Sequence, residues 1–135
     1  MILGIGTDLT DINRIERTFK RYGEQFEERV FTVRERKKAR ARKNARNKTV
    51  AAFYAKRFAA KEACAKALGT GFRRGIQWRE IEVVTASNGH PSLALHGAAR
   101  KRLKELTPKG MTAKLHISIS DEPPFAQAMV VIEAI

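Results

Sequence analysis

The chain has no long apolar run. No segment approaches the ~20 consecutive apolar residues that span a bilayer, so a membrane-spanning helix is excluded. Cysteine is almost missing. Cys64 stands alone, which rules out an intrachain disulfide and a thiolate metal cage. A reducing cytoplasm suits a single thiol. The start, Met1-Ile2-Leu3-Gly4-Ile5-Gly6, carries no basic residue and no cleavage site precedes Asp8, which argues against a secretory leader. Acids are scarce: 14 Asp and Glu stand against 27 Lys and Arg, a net charge of +13. The excess concentrates in residues 14–57, with 16 basic and 5 acidic side chains. A field of that sign draws polyanions: nucleic acid, an anionic membrane, an acidic protein or a phosphorylated cofactor. The most basic part, 34–48, has no aromatic residue, and the chain shows no nucleic-acid motif, which counts against a base-stacking surface.

What is present predicts one α+β domain over residues 1–135: an opening strand, a helical middle and an antiparallel C-terminal sheet. Residues 2–9 read as a strand interrupted by Gly4 and Gly6, the mark of close approach by another backbone or a ligand. Asp11 caps a helix to about Tyr22, with Ile12, Ile15 and Phe19 on one face and Arg14, Arg17 and Arg21 on another. A short helix over 24–31 buries Phe26 and Val30. Thr32 and Glu35 form a capping-box pattern, followed by the basic stretch, either a solvated helix or a loop. The Ala-rich run 49–68 is a helix stopped by Gly69. Asn88-Gly89 signals a hairpin returning through 92–95. A helix over 98–106 and strands over 114–120 and 125–135 complete the chain, with Pro123-Pro124 as the last turn.

Three constellations carry polar chemistry. Gly4-Ile5-Gly6-Thr7-Asp8 lacks the third glycine of a dinucleotide fingerprint. Asp8 is either a hard oxygen ligand beside glycines that clear room for a phosphate, or a turn residue bonding backbone amides. Glu62 and Lys66, four apart, share a helix face. They form a surface ion pair, or a carboxylate for a cation with an ammonium for a phosphate oxygen. Gly69-Thr70-Gly71 offers free amides or only a helix stop. His116, Ser118 and Ser120 share one face of a strand, opposite the isoleucines, lining a cleft or meeting solvent. His90 and His96 are incidental, and Cys64 is a small core residue.

Together these segments resemble the holo-[acyl-carrier-protein] synthase family, the short, trimeric class of 4'-phosphopantetheinyl transferases. The shared patterns are the G-I-G-x-D strand at 4–8, the F-A-x-K-E-A-x-x-K-A-x-G-T-G helix at 58–71, the N-G-x-P turn at 88–91 and the H-x-S-I-S strand at 116–120. The resemblance spans nearly the whole chain and implies that fold. It implies transfer of 4'-phosphopantetheine from coenzyme A to a serine of an acidic acyl carrier protein, for fatty acid synthesis in the cytoplasm. It implies Mg²⁺ on Asp8 and Glu62, Glu62 and Lys66 as catalytic residues, and a coenzyme A site drawn from Lys66, Gly69, Gly71, Asn88, Gly89, Pro91, His116 and Ser118. Arg14, with Arg17 and Arg21, would dock the carrier. The acceptor of the serine proton would be Glu62 or a water on the metal, and homotrimers would share each site between two chains. Two features depart from the family. Ser120-Asp121 stands where many members have a second histidine, so no role is assigned there. The run 34–48 is more basic than the family pattern implies, as an enlarged carrier-docking surface or an aid to solubility.

Overall fold

Small and large residues alternate along the last strand, and that pattern decides where the core sits. In chain order the elements are β1 (Ile2–Asp11), α1 (Ile12–Tyr22), α2 (Glu24–Val30), α3 (Val33–Arg40), α4 (Asn47–Ala67), β2 (Ile81–Thr85), β3 (Pro91–Leu95), α5 (Gly97–Leu106), β4 (Ala113–Glu122) and β5 (Phe125–Ala134), with a 3-10 turn at Trp78–Glu80. The structure, a computed structural model, describes residues 1–42 and 47–135. The strand β5 sends Ala126, Ala128, Val130, Ile132 and Ala134 into the core and leaves Phe125, Gln127 and Met129 exposed. It is the middle strand of an antiparallel sheet ordered β1-β5-β4, while β2 and β3 pair as a separate hairpin. The expected C-terminal sheet is thus two sheets, and the opening strand joins the larger one at an edge. No helix among the described residues is long and apolar enough to cross a membrane.

The inner alanines of β5 make room for α4, which crosses between the sheet and the hairpin with most of its surface buried. Its N-terminal half packs on α1, α2 and α3 through Ile12, Ile15, Phe26, Phe31, Phe53 and Tyr54. Its C-terminal half packs on the sheet, the hairpin and α5 through Ala63, Cys64, Leu68, Ile81, Val83 and Ala99. Cys64 is fully buried, and burial pushes its thiol up to about 12, which bears out a core role.

The glycines of β1 are explained by this crossing. A Cβ on Gly4 would overlap the Ala67 carbonyl, and one on Gly6 would overlap the Ala63 carbonyl. The alternative that these glycines clear room for a phosphate is overturned, because α4 fills that space. Backbone cannot swing aside as a side-chain tip can. Gly6→Ala is therefore expected to cost about 2–3 kcal/mol, read as a lower urea midpoint with unchanged slope. A midpoint equal to the parent's would show that the helix does not sit this close.

Capping follows the sequence. The Asp11 carboxylate accepts from the Asn13 amide at 2.9 Å, and the Gly23 amide closes α1 onto the Phe19 carbonyl. Thr32 and Glu35 form the reciprocal capping box of α3. The basic stretch is a helix over Val33–Arg40, and it is not solvated all round, since Glu35 and Ala39 are buried. Residues 43–46 of that stretch lie outside the described residues.

Candidate active site

Period-two alternation along β1 sorts its side chains. Gly4, Gly6, Asp8 and Thr10 face α4, whereas Ile5, Thr7 and Leu9 face outward. Asp8 is oriented by Thr10, whose hydroxyl donates to Asp8 Oδ2 at 2.6 Å. From α4, Lys66 reaches across rather than along its own helix. Its ammonium donates to the Thr7 carbonyl at 2.9 Å and lies 3.4 Å from Asp8 Oδ1. Glu62 sits one turn earlier on the same face. Burial, and then the charge of Asp8, push its carboxyl above the usual range, while Lys66 and Arg14 pull the other way. Two carboxylates from distant segments thus repel across one small space, with a lysine and an arginine at its edge. A dication placed between them would turn that repulsion into attraction.

The other expected residues fall elsewhere. The amides of Gly69 and Gly71 donate to the Lys66 and Ala65 carbonyls, with φ of +79° and +60°. They close α4, so the reading of free amides there is overturned in favour of the helix stop. His116 and Ser118 are exposed on the outer face of the sheet, opposite the face that carries Asp8. His116 Nε2 lies 3.4 Å from Glu133 Oε1. Asn88, Gly89 and Pro91 shape the β2–β3 turn, where Asn88 Oδ1 accepts from the His90 amide and Gly89 has φ +83°. That hairpin approaches α4 at Arg57, whose guanidinium donates to the Thr85 hydroxyl at 3.3 Å. Arg57 and Lys66 are nine positions apart, roughly 13 Å along the helix. Lys66 thus touches Asp8, and Glu62 lies within the electrostatic reach of Asp8, Lys66 and Arg14, while the turn and His116 do not join them. Arg17 and Arg21 are exposed with Arg14 on α1, and Arg21 lies 5.3 Å over the Tyr22 ring.

The family model of the 4'-phosphopantetheinyl transferase superfamily matches residues 4–120. The chain belongs to that superfamily. A holo-[acyl-carrier-protein] synthase of Phenylobacterium zucineum is 55% identical over 135 residues, covering 100% of this chain and 94% of the relative. The solved holo-[acyl-carrier-protein] synthase of Neisseria meningitidis superposes with a TM-score of 0.81 at 37% identity, over 98% of this chain and 99% of that one. That of Bacillus anthracis, in complex with CoA (3',5'-ADP), gives 0.76 at 36% identity, over 98% and 96%.

For a phosphopantetheinyl transferase the donor set is informative. Among the described residues no three His, Cys, Asp or Glu side chains gather as a metal cage. Two carboxylates are what Mg²⁺ takes when phosphate oxygens and water complete its octahedron. The residues present fit that ion.

Sequence reading missed two features. Arg57 is almost fully buried, stacks 3.5 Å from the Phe53 ring centroid, and leaves Nε without a partner among the described residues. Burial draws its pKa down to about 10. The signal for it was a basic residue inside an Ala-rich packed helix. A groove of about 490 Å³ also opens between α1, α2 and α4, lined by Arg14, Ile15, Phe26, Arg29, Phe58 and Trp78. Trp78 stacks between Phe58 and Phe72, at 4.6 and 3.8 Å. Only its assembly from four segments makes it a groove, which no local pattern reveals.

Proposed function

We propose that this transferase moves the 4'-phosphopantetheine arm of coenzyme A onto a serine of an acidic apo-acyl carrier protein, releasing adenosine 3',5'-bisphosphate, in the cytoplasm and for lipid synthesis. The observation that carries this is the meeting of Asp8, Glu62 and Lys66. Asp8 and Glu62 would hold Mg²⁺. When bound, the ion neutralises the diphosphate and aligns it for displacement. The serine oxygen attacks the phosphorus that bears pantetheine, and the bond to the departing adenosine bisphosphate breaks. Lys66, pinned between Thr7 and Asp8, stabilises the charge on the leaving phosphate. Glu62 is this chain's own carboxylate placed to accept the serine proton.

Carrier docking is assigned to the groove beside Glu62. Its floor is apolar, through Phe26, Phe58 and Trp78, and Arg14 and Arg29 stand on its rim. An amphipathic acidic helix fits both properties. Arg17 and Arg21 extend the positive stripe and steer encounter.

A homotrimer with shared sites accounts for His116. Ile5, Leu9, Phe125 and Met129 are exposed on the outer sheet face at 59, 63, 43 and 41%, too much apolar surface for a lone β face. In a trimer packed through that face, the edge strand β1 is where a partner's copy of His116 would approach an Asp8–Glu62 pair.

Incubating the protein with an apo-carrier, coenzyme A and Mg²⁺ should add the mass of phosphopantetheine to the carrier, as read by intact-protein mass spectrometry. No mass gain with any acidic carrier would reject the assignment. Arg14→Glu is expected to raise the carrier KM about tenfold at low salt, and less at physiological ionic strength. An unchanged KM removes Arg14 from the docking surface.

A further inference from the structure

The residues on either side of Glu62 are locked by different means. Ala63 is fixed to β1, because its carbonyl fills the space over Gly6. Lys61 is fixed to the opposite side of the molecule. Its side chain is fully buried, and its ammonium donates to Glu35 Oε1 at 2.7 Å, to the Ile81 carbonyl at 2.6 Å and to the Trp78 carbonyl at 3.2 Å. All three donors of the ammonium are occupied. Glu35 is filled in turn. Oε1 also accepts from the Thr32 amide at 2.9 Å, and Oε2 accepts from the Val83 amide at 3.1 Å. One buried ion pair therefore ties α4 to α3, to the start of β2 and to the 3-10 turn.

Consecutive residues of a helix project about 100° apart. With Lys61 and Ala63 both held, α4 can neither roll about its axis nor slide, and the direction in which Glu62 projects is set. Stability alone is a poor reason for such a pair. Desolvation cancels most of its Coulomb gain, and well-packed apolar residues of similar volume commonly do as well. What apolar packing does not supply is a directional bond that defines rotation.

We infer that the Lys61–Glu35 pair is a positioning device that aims the Glu62 carboxylate at Asp8. Neither residue touches substrate; both act through Glu62. The inference rests on the reading of Asp8 and Glu62 as a cation site. Losing a partner that orients a ligand costs about 10–100-fold in metal affinity or activity.

The test replaces the charges while keeping volume and hydrogen bonding. In the double variant Lys61→Met, Glu35→Gln, the amide retains an acceptor for the Thr32 or Val83 amide and donors for the orphaned carbonyls. Melting temperature is measured by calorimetry. Mn²⁺ binding without turnover, with coenzyme A present and the carrier left out, is measured by the electron paramagnetic resonance of the free ion against a protein-free coenzyme A control. The expected result is a melting temperature close to the parent's with Mn²⁺ affinity weakened about tenfold. The rate constant kcat should fall with it while the carrier KM holds. Should the double variant not fold, Lys61→Arg decides, because it keeps the charge pair while changing the directions of its bonds; a weakening of about tenfold is expected. A parent that binds Mn²⁺ and a folded variant that binds it equally well overturns the positioning role alone. A parent that binds no Mn²⁺ overturns the cation-site reading and this inference with it.

Discussion

Glu62→Ala is expected to abolish transfer and, in the same protein, to raise the melting temperature. The loss should reach about 10³-fold in kcat/KM, the scale of several kcal/mol of charge stabilisation at the transferred phosphate. The gain follows from the sign of the perturbation. Burial and Asp8 raise the Glu62 pKa above its unfolded value. A carboxyl shifted that way binds its proton more tightly in the folded state. It carries no penalty below the unfolded pKa and a full penalty above the folded one, so the penalty is present at neutral pH. Removing the carboxylate lifts it. The group is partly solvated, so the effect is small. Below pH 4 the difference between variant and parent should vanish. A structural carboxylate behaves oppositely, since its removal lowers stability. A Glu62→Ala protein that keeps its activity, or one that melts well below the parent, removes Glu62 from the cation site.

The same contrast explains what the sequence could and could not reveal. Asp11, Gly23, Thr32 with Glu35, and Gly69 announce helix ends, because a cap is a contact between residues a few positions apart. Each does what its spacing implied. Gly4 and Gly6 announced that something comes close, but not what. Whether helix or phosphate fills the gap depends on α4, some sixty residues away, and the structure gives the place to Ala63 and Ala67. Glu62 and Lys66 looked like a pair along one helix; Lys66 instead crosses to Thr7 and Asp8, a long-range choice. Lys61 and Glu35 showed no local sign of partnership, since 26 positions separate them; Glu35 read only as a capping-box residue and Lys61 as one position of the Ala-rich helix. The groove lined by Phe26, Phe58 and Trp78 was illegible for the same reason. His116 was legible as one face of a strand, but which side of the molecule that face meets is decided by the pairing of β4 with β5.

That placement yields the second large effect. Asp8 and Glu62 lie on the helix side of the sheet, and His116 lies on the other. Within one chain they cannot serve one ligand. If trimers share sites, two different inactive chains should repair each other. His116→Glu aims a second carboxylate, beside Glu133, at an anionic ligand and is expected to be inactive by itself, as is Glu62→Ala. Co-refolded in equal amounts, the two should recover about a quarter of the parent's activity. A cyclic trimer assembled at random joins an intact Glu62 to an intact neighbouring His116 in that fraction of its interfaces. Met129→Glu buries a charge in the proposed interface and should give an inactive monomer by light scattering, with the fold retained because Met129 points away from the core. Mixed trimers that stay inactive would place the whole site within one chain. An active Met129→Glu monomer would do the same, leaving the outer sheet face without a part in the chemistry.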